Sequence, residues 1–206
     1  MATAPNAYEY ALSGEYTSVE PDYTQIDAYM VTVDRHTATT DFSDMKEAGV
    51  IGINIEAGFL FTSMHRKQDT YVSPMLAKQV AQATKAEIPF SLYATVRARN
   101  VEEAREEIKW LRIYIQKYIP PLGVWLQLEL ANNKTMNDMI IDTYLTMLKS
   151  AGLAGKVGFY VTRNQLASVS WSKWQSDFLL WLVDRVDDLE EIEQILTPEF
   201  FMLNPD

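Results

Sequence analysis

Four apolar runs of this sequence carry an acid at or near their C-terminal ends. Asp34 closes "AYMVTVD", Glu56 lies in "VIGINIEAG", Glu129 lies in "GVWLQLEL" and Asp184 closes "LLWLVD". Side chains alternate along a strand, so Thr32 shares a face with Asp34, Asn54 with Glu56, and Gln127 with Glu129. Carboxylates gathered in a cleft are the equipment for breaking glycosidic bonds. One, protonated, gives its proton to the leaving oxygen; a second, ionised, attacks or stabilises the sugar cation. Gln127 withholds the second charge from its own pair, because an amide cannot ionise. Tyr93, Tyr160, Trp125, Trp171, Trp174 and Trp181 fall near the ends of the same runs or in the loops beyond, where a ring could stack on a sugar. Large aromatics also bury well, and Trp110 and Trp181 suit a core best. The plain alternative is that strand ends meet water and that acids are common in a chain with 28 of them.

The elements that would position these residues alternate. "AYMVTVD" reads as a strand, then "TTDFSDMKEAG" as a short helix capped by Thr40 or Asp41 and ended by Gly49. "VIGINIEAG" is a second strand and "FLFTSMHRKQDTYV" a long loop. Ser73 and Pro74 suit the start of a helix running to about Ala86. "IPFSLYATV" is the third strand. Asn100 with Glu103 resembles a capping box ahead of the periodic "VEEAREEIKWLRIYIQKY". "GVWLQLEL", "KVGFYVT" and "DFLLWLVD" are further strands. "TMNDMIIDTYLTMLKSAG" is a helix, "DDLEEIEQIL" a short acidic helix or turn, and "EFFML" a last strand. Residues 1–27 lack periodicity and read as an extended arm, lying on its own domain or on a neighbouring subunit; residues 28–206 read as one domain.

Alternation of strand and helix implies parallel pairing, and nearly continuous apolar strands imply cover on both faces. No Gly-rich loop follows the first strand, which disfavours a dinucleotide-binding sheet and favours an α/β barrel. In a barrel the strand C-termini form the site. "EEAREE" reads as a solvated helix face. His36 and His65 lie apart without metal-ligand spacing, and there is no Ser-His-Asp spacing, phosphate loop or redox motif.

Composition sets further bounds. The chain has 206 residues, 48% apolar, which is enough for one sizeable core. Without cysteine there is no disulfide, thiolate metal site or cysteine nucleophile. A net charge of −10 disfavours nucleic acid and anionic membranes as partners. No run is long enough to span a bilayer. The first residues lack a basic start and an apolar stretch, so the expectation is synthesis in the cytoplasm without a signal peptide. No cofactor and no metal is expected.

The order of these segments resembles glycoside hydrolase family 25, the Chalaropsis-type lysozymes or muramidases found in phage endolysins. The likeness runs over about residues 28 to 185. It is carried by "DFSDMKEAGVIGINIEAG", "DTYVSPMLAKQVAQATKAEIPFSLYATV", "VEEAREEIKWL", "GVWLQLEL", "GLAGKVGFYVTRNQL" and "LLWLVD". The resemblance implies an irregular, flattened (β/α) TIM-like barrel that cleaves the β-1,4 bond between N-acetylmuramic acid and N-acetylglucosamine. It implies a catalytic Asp on the first strand, an Asp-x-Glu pair on the fourth and a late Asp. Glu129 falls on the Glu of the pair, the proton donor. Gln127 and Thr32 stand where the family has Asp, Asp34 lies two residues beyond Thr32, and Asp184 stands near the place of a family tyrosine.

Two readings follow. In the first, the chain is a family 25-like domain that has lost catalysis and serves as a structural or glycan-binding part of a phage virion or phage-like tail. Its partners are then neighbouring subunits, gripped through the N-terminal arm, with peptidoglycan or another glycan as ligand and oligomerisation allowed. In the second it is an active muramidase, with Glu129 as acid and Asp34, Glu56 or Asp184 in the second role; another sugar polymer is a variant of that reading. Tyr93, Tyr160 and Asn54 are the expected glycan contacts.

Overall fold

A computed structural model describes residues 29–37, 41–63, 66–131, 133–174 and 177–183. The N-terminal arm, His65, Asp184, the acidic 187–196 segment and the 199–203 run lie outside the described residues.

The chain forms β1 (Tyr29–Val33), α1 (Phe42–Glu47), β2 (Val50–Ser63), β3 (Arg66–Val72), α2 (Leu76–Ala86), β4 (Phe90–Val96) and α3 (Val101–Tyr118). There follow β5 (Val124–Leu128), α4 (Lys134–Ser150), β6 (Val157–Thr162), α5 (Arg163–Leu166) and β7 (Leu179–Val183). Six strands pair in parallel in the order β1-β2-β4-β5-β6-β7, and β3 folds back antiparallel on β2. The sheet is curled into a half-barrel of the flattened TIM-like type. The "FLFTSMHRKQDTYV" segment, expected as a long loop, is not one. It is the upper half of a 14-residue strand plus the return strand of a hairpin. Its "FLFT" and "TYV" ends are aromatic and β-branched, which suits paired strands. Gly58, at φ +123°, supplies the bulge that lets β2 keep pairing with β4 on one edge and β3 on the other.

Capping explains the helix starts. Asp41 accepts from the Ser43 amide at 2.9 Å and Asn100 from the Glu103 amide at 2.9 Å. Glu103 does not close a capping box, since its carboxylate turns to the Arg99 amide instead. Helix α2 begins at Leu76, later than Ser73 and Pro74 suggested, and has no side-chain cap. Replacing Asn100 with Ala should cost about 1 kcal/mol, the usual worth of such a cap; an unchanged denaturant midpoint would show that α3 is held by its packing alone.

The core lies between the outer face of the sheet and the helices. Ile53, Ile55, Leu92, Ala94, Leu126, Leu128, Phe159 and Val161 alternate outward and are essentially inaccessible. Against them lie Ala104, Ile108, Leu111 and Ile115 of α3 and Ile140, Ile141, Leu145 and Leu148 of α4. Each such Leu or Ile contributes roughly 1.5–3 kcal/mol on burial. The inner face differs from the all-apolar strands expected for cover on both sides: it carries Asn54, Glu56, Ser91, Tyr93, Thr95 and Gln127. Glu56, Tyr93, Thr95 and Gln127 are part-exposed, while Asn54 and Ser91 are buried and bond each other.

Candidate functional site

Parallel register stacks the inward side chains in rows. Thr32, Asn54 and Ser91 form the lowest, with the Ser91 hydroxyl donating to Asn54 Oδ1 at 2.9 Å. Glu56, Tyr93, Trp125 and Gly158 form the next. Phe59, Thr95, Gln127 and Tyr160 form the third. Asp34, Arg97 and Glu129 stand just beyond the strand ends. This is how inward residues layer in a (β/α) barrel, and it gathers Asp34, Glu56 and Glu129 at one end of the sheet.

Each acid is engaged by its neighbours. Asp34 accepts from the His36 amide at 2.8 Å, the Thr37 amide at 2.9 Å and the Thr37 hydroxyl at 3.0 Å. Burial acts to raise its pKa. The bonds from Thr37 and from the His36 amide outweigh this and hold the carboxyl below its usual range. Gln79 fixes the same turn by donating to the Asp34 carbonyl at 2.8 Å. Glu56 accepts from the Arg35 amide at 3.1 Å and lies 4.0 Å from its guanidinium, which covers the Tyr71 ring at 4.9 Å.

Glu129 meets Arg97 with both oxygens. Nη2 of the arginine donates to Oε1 at 2.7 Å, and Nε contacts Oε2. The guanidinium also lies 5.9 Å from the centre of the Phe59 ring. Two residues earlier, Gln127 accepts from the Thr95 hydroxyl at 3.2 Å. A general acid needs an oxygen that presents a proton to the leaving group; here both oxygens of Glu129 accept from one planar fork.

The aromatic expectations divide. Tyr93 and Tyr160 are half-buried on the inner face beside the acids. Burial, then the charges of Glu56 and Asp34, push the Tyr93 hydroxyl far up, so it stays neutral as a hydrogen-bonding group. Trp125 is on the inner face but buried, its ring filling the space over Gly158. Trp171 is not a stacking surface: it is fully buried against Phe159 and Phe178. Trp174 donates to Asp142 at 3.2 Å beside a shallow hollow lined by α4 and Lys173, which includes none of the strand-end acids. Trp110 is partly buried against the core, and the side chain of Trp181 lies outside the described residues.

Sequence reading passed over Arg35, Arg97 and Tyr71. Arg35 and Arg97 each sit within two residues of a strand end, next to an acid or level with one on the adjacent strand, and that position was the available signal. It also took "EEAREE" for a solvated face. Glu107, its last residue, is buried at 2% exposure, in the stripe of Ala104, Ile108 and Leu111. Periodicity alone puts position 107 on that stripe. Among the described residues no three His, Asp or Glu side chains converge as a metal ion would need, and no helix is long and apolar enough to cross a membrane.

No protein-family model and no curated protein matches the chain. Solved structures do. The CTP1L endolysin aligns with TM-score 0.62 and 15% identity over 84% of this chain and 56% of its own. The modular autolysin LytC of Streptococcus pneumoniae, solved alone and with a synthetic peptidoglycan ligand, aligns with TM-score 0.57 and 18% identity over 67% of this chain. GHIP, a glycosyl hydrolase 25 of Streptococcus pneumoniae, aligns with TM-score 0.55 and 15% identity over 76% of this chain and 68% of its own. The chain thus spans about a third of LytC and just over half of CTP1L.

Proposed function

We propose that this chain, which has the fold of the family 25 glycoside hydrolases, is a glycan-binding domain of that type that does not hydrolyse its ligand. One observation carries the reading: Glu129, which the family resemblance puts at the position of the proton donor, gives both oxygens to Arg97, while its neighbour on the same face is Gln127. Asp34 and Glu56 bring carboxylates to the same rim, but both are already engaged. The first is spent on its own turn and the second on Arg35. What is left of the cleft is a surface of Tyr93 and Tyr160 with neutral hydrogen-bonding groups, which suits sugar binding; Asn54, expected as a third glycan contact, is 3% exposed and bonded to Ser91 beneath them. Peptidoglycan is the first ligand to test, because LytC was solved with a synthetic peptidoglycan ligand.

The proposal extends to assembly. Residues 1–27 are taken as an arm that ties residues 28–206 to neighbouring subunits of a phage virion or phage-like tail. Endolysin-like fold supports the phage context. Mass spectrometry of purified particles from a host encoding this chain would find it in the particle; its confinement to the cell lysate would remove this extension and leave the glycan reading in place.

The deciding experiment incubates purified peptidoglycan with wild type and with Glu129→Gln. Both should sediment with the polymer, and neither should release reducing ends. Release by wild type that disappears in Glu129→Gln would overturn the proposal in favour of a working muramidase with Asp34 or Glu56 as partner. Failure of either protein to sediment with the polymer would remove peptidoglycan as the ligand.

A further inference from the structure

Arg97 lies in the loop between β4 and α3, and this loop hangs from carboxylates of the helix behind it. Glu107 Oε1 accepts from the Arg97 amide at 2.8 Å. Its Oε2 accepts from the hydroxyl of Tyr144 on α4, a side chain with no exposed surface. One turn earlier on α3, Glu103 accepts from the Arg99 amide at 2.8 Å. A carboxylate as buried as Glu107 is costly unless its oxygens are bonded. An apolar residue would complete the α3 stripe without that cost. What Glu107 supplies that a leucine could not is a fixed acceptor for the loop.

We infer that Glu107 and Tyr144 are positioning residues for the cleft: they fix the Arg97 backbone and thereby aim its guanidinium at both oxygens of Glu129. The Arg97 and Glu129 side chains are 43% and 44% exposed. An ion pair so open to water is weak by itself, because two long side chains must be held in one geometry. Anchoring the arginine's own amide, and resting its guanidinium near Phe59, removes much of that freedom. The locked state of Glu129 is therefore built from behind the sheet, by α3 and α4, and not at the cleft surface. This deepens the non-hydrolytic reading, on which it rests for what a locked Glu129 means.

The test follows the Arg97 Nε–Hε signal by NMR of protein carrying isotope-labelled arginine, assigned with Arg97→Lys. Glu107→Gln keeps an oxygen for the Arg97 amide and a polar contact to Tyr144, so the signal should hold its position and exchange rate. Glu107→Leu removes the acceptor, and Hε exchange should quicken by up to about tenfold, the factor a buried hydrogen bond is worth. Tyr144→Phe should shift the signal in the same direction and decides the matter if Glu107→Leu does not fold. A wild-type Arg97 signal in folded Glu107→Leu or Tyr144→Phe protein would overturn the inference. So would loss of the signal's protection in Glu107→Gln to the same extent as in Glu107→Leu. No glycan is present, so failure here is separate from failure to bind peptidoglycan.

Discussion

Folding stability of the wild-type protein should fall by about 3 kcal/mol as pH rises from 4.5 to about 7, through one side chain, Glu107. Burial is the main cause: it disfavours the carboxylate and pushes the pKa up to about 7, against the opposing hydrogen bonds from Tyr144 and from the amides of Arg97 and Ala98. Between its ordinary value and this raised one, the folded protein holds a proton that the unfolded chain has released. The stabilising contribution is therefore complete below 4.5 and gone once pH has passed about 7. Asp34, Asp41 and Asp138 act the other way. Their pKa values are lowered, so their contributions are present above the ordinary aspartate range and lost below it, in a more acid window. Denaturant titrations across this range should show the Glu107 limb in wild type and not in Glu107→Gln. The difference in stability between the two proteins should itself change by about 3 kcal/mol across the window, whatever its offset. A difference independent of pH would show that Glu107 titrates normally. Tyr144→Phe removes one bond that favours the carboxylate, so its limb should move to higher pH.

Gly158→Val should be the most damaging substitution on the inner face. A Cβ on Gly158 would lie 2.2 Å from the Trp125 ring, which cannot yield as a flexible side chain would. Trp125 is 8% exposed and occupies the row that also holds Glu56 and Tyr93. Valine must expel the ring or part β5 from β6, so the cost should be about 3 kcal/mol or more. Trp125→Leu alone should cost less, because the glycine leaves room for either side chain. The double variant should recover part of the loss, with a coupling of about 1–3 kcal/mol, as residues in direct contact do. Strict additivity would mean that the ring does not rest on Gly158. Displacing Trp125 should also weaken any glycan binding, since it disorders the row that holds Tyr93 and lies beneath Tyr160.

Much of the fold was legible because local rules and tertiary demands agree along most of the chain. The strand and helix alternation and the caps at Asp41 and Asn100 follow from spacing and chemistry within a few residues. The hairpin of β2 and β3 was not legible because the run "SMHRKQD" is polar and breaks the alternation. Pairing between the two strands, not the pattern of either, makes it a strand pair.

The candidate site divides in the same way. Residue identity alone sets which chemistry is within reach: Gln127 beside Glu129, no thiol, and acids at the ends of successive apolar runs. These are matters of residue type, and no packing can give an amide a charge. What each acid does depends on partners that the fold brings to it. Arg97 and Glu129 lie 32 residues apart, and Glu107 and Tyr144 lie 37 apart. Such partners meet because parallel crossovers bring strand ends to one rim and lay α3 against α4. Whether a carboxylate is free for catalysis, tied to its own turn or locked by an arginine depends on those neighbours, and a one-dimensional spacing does not contain them.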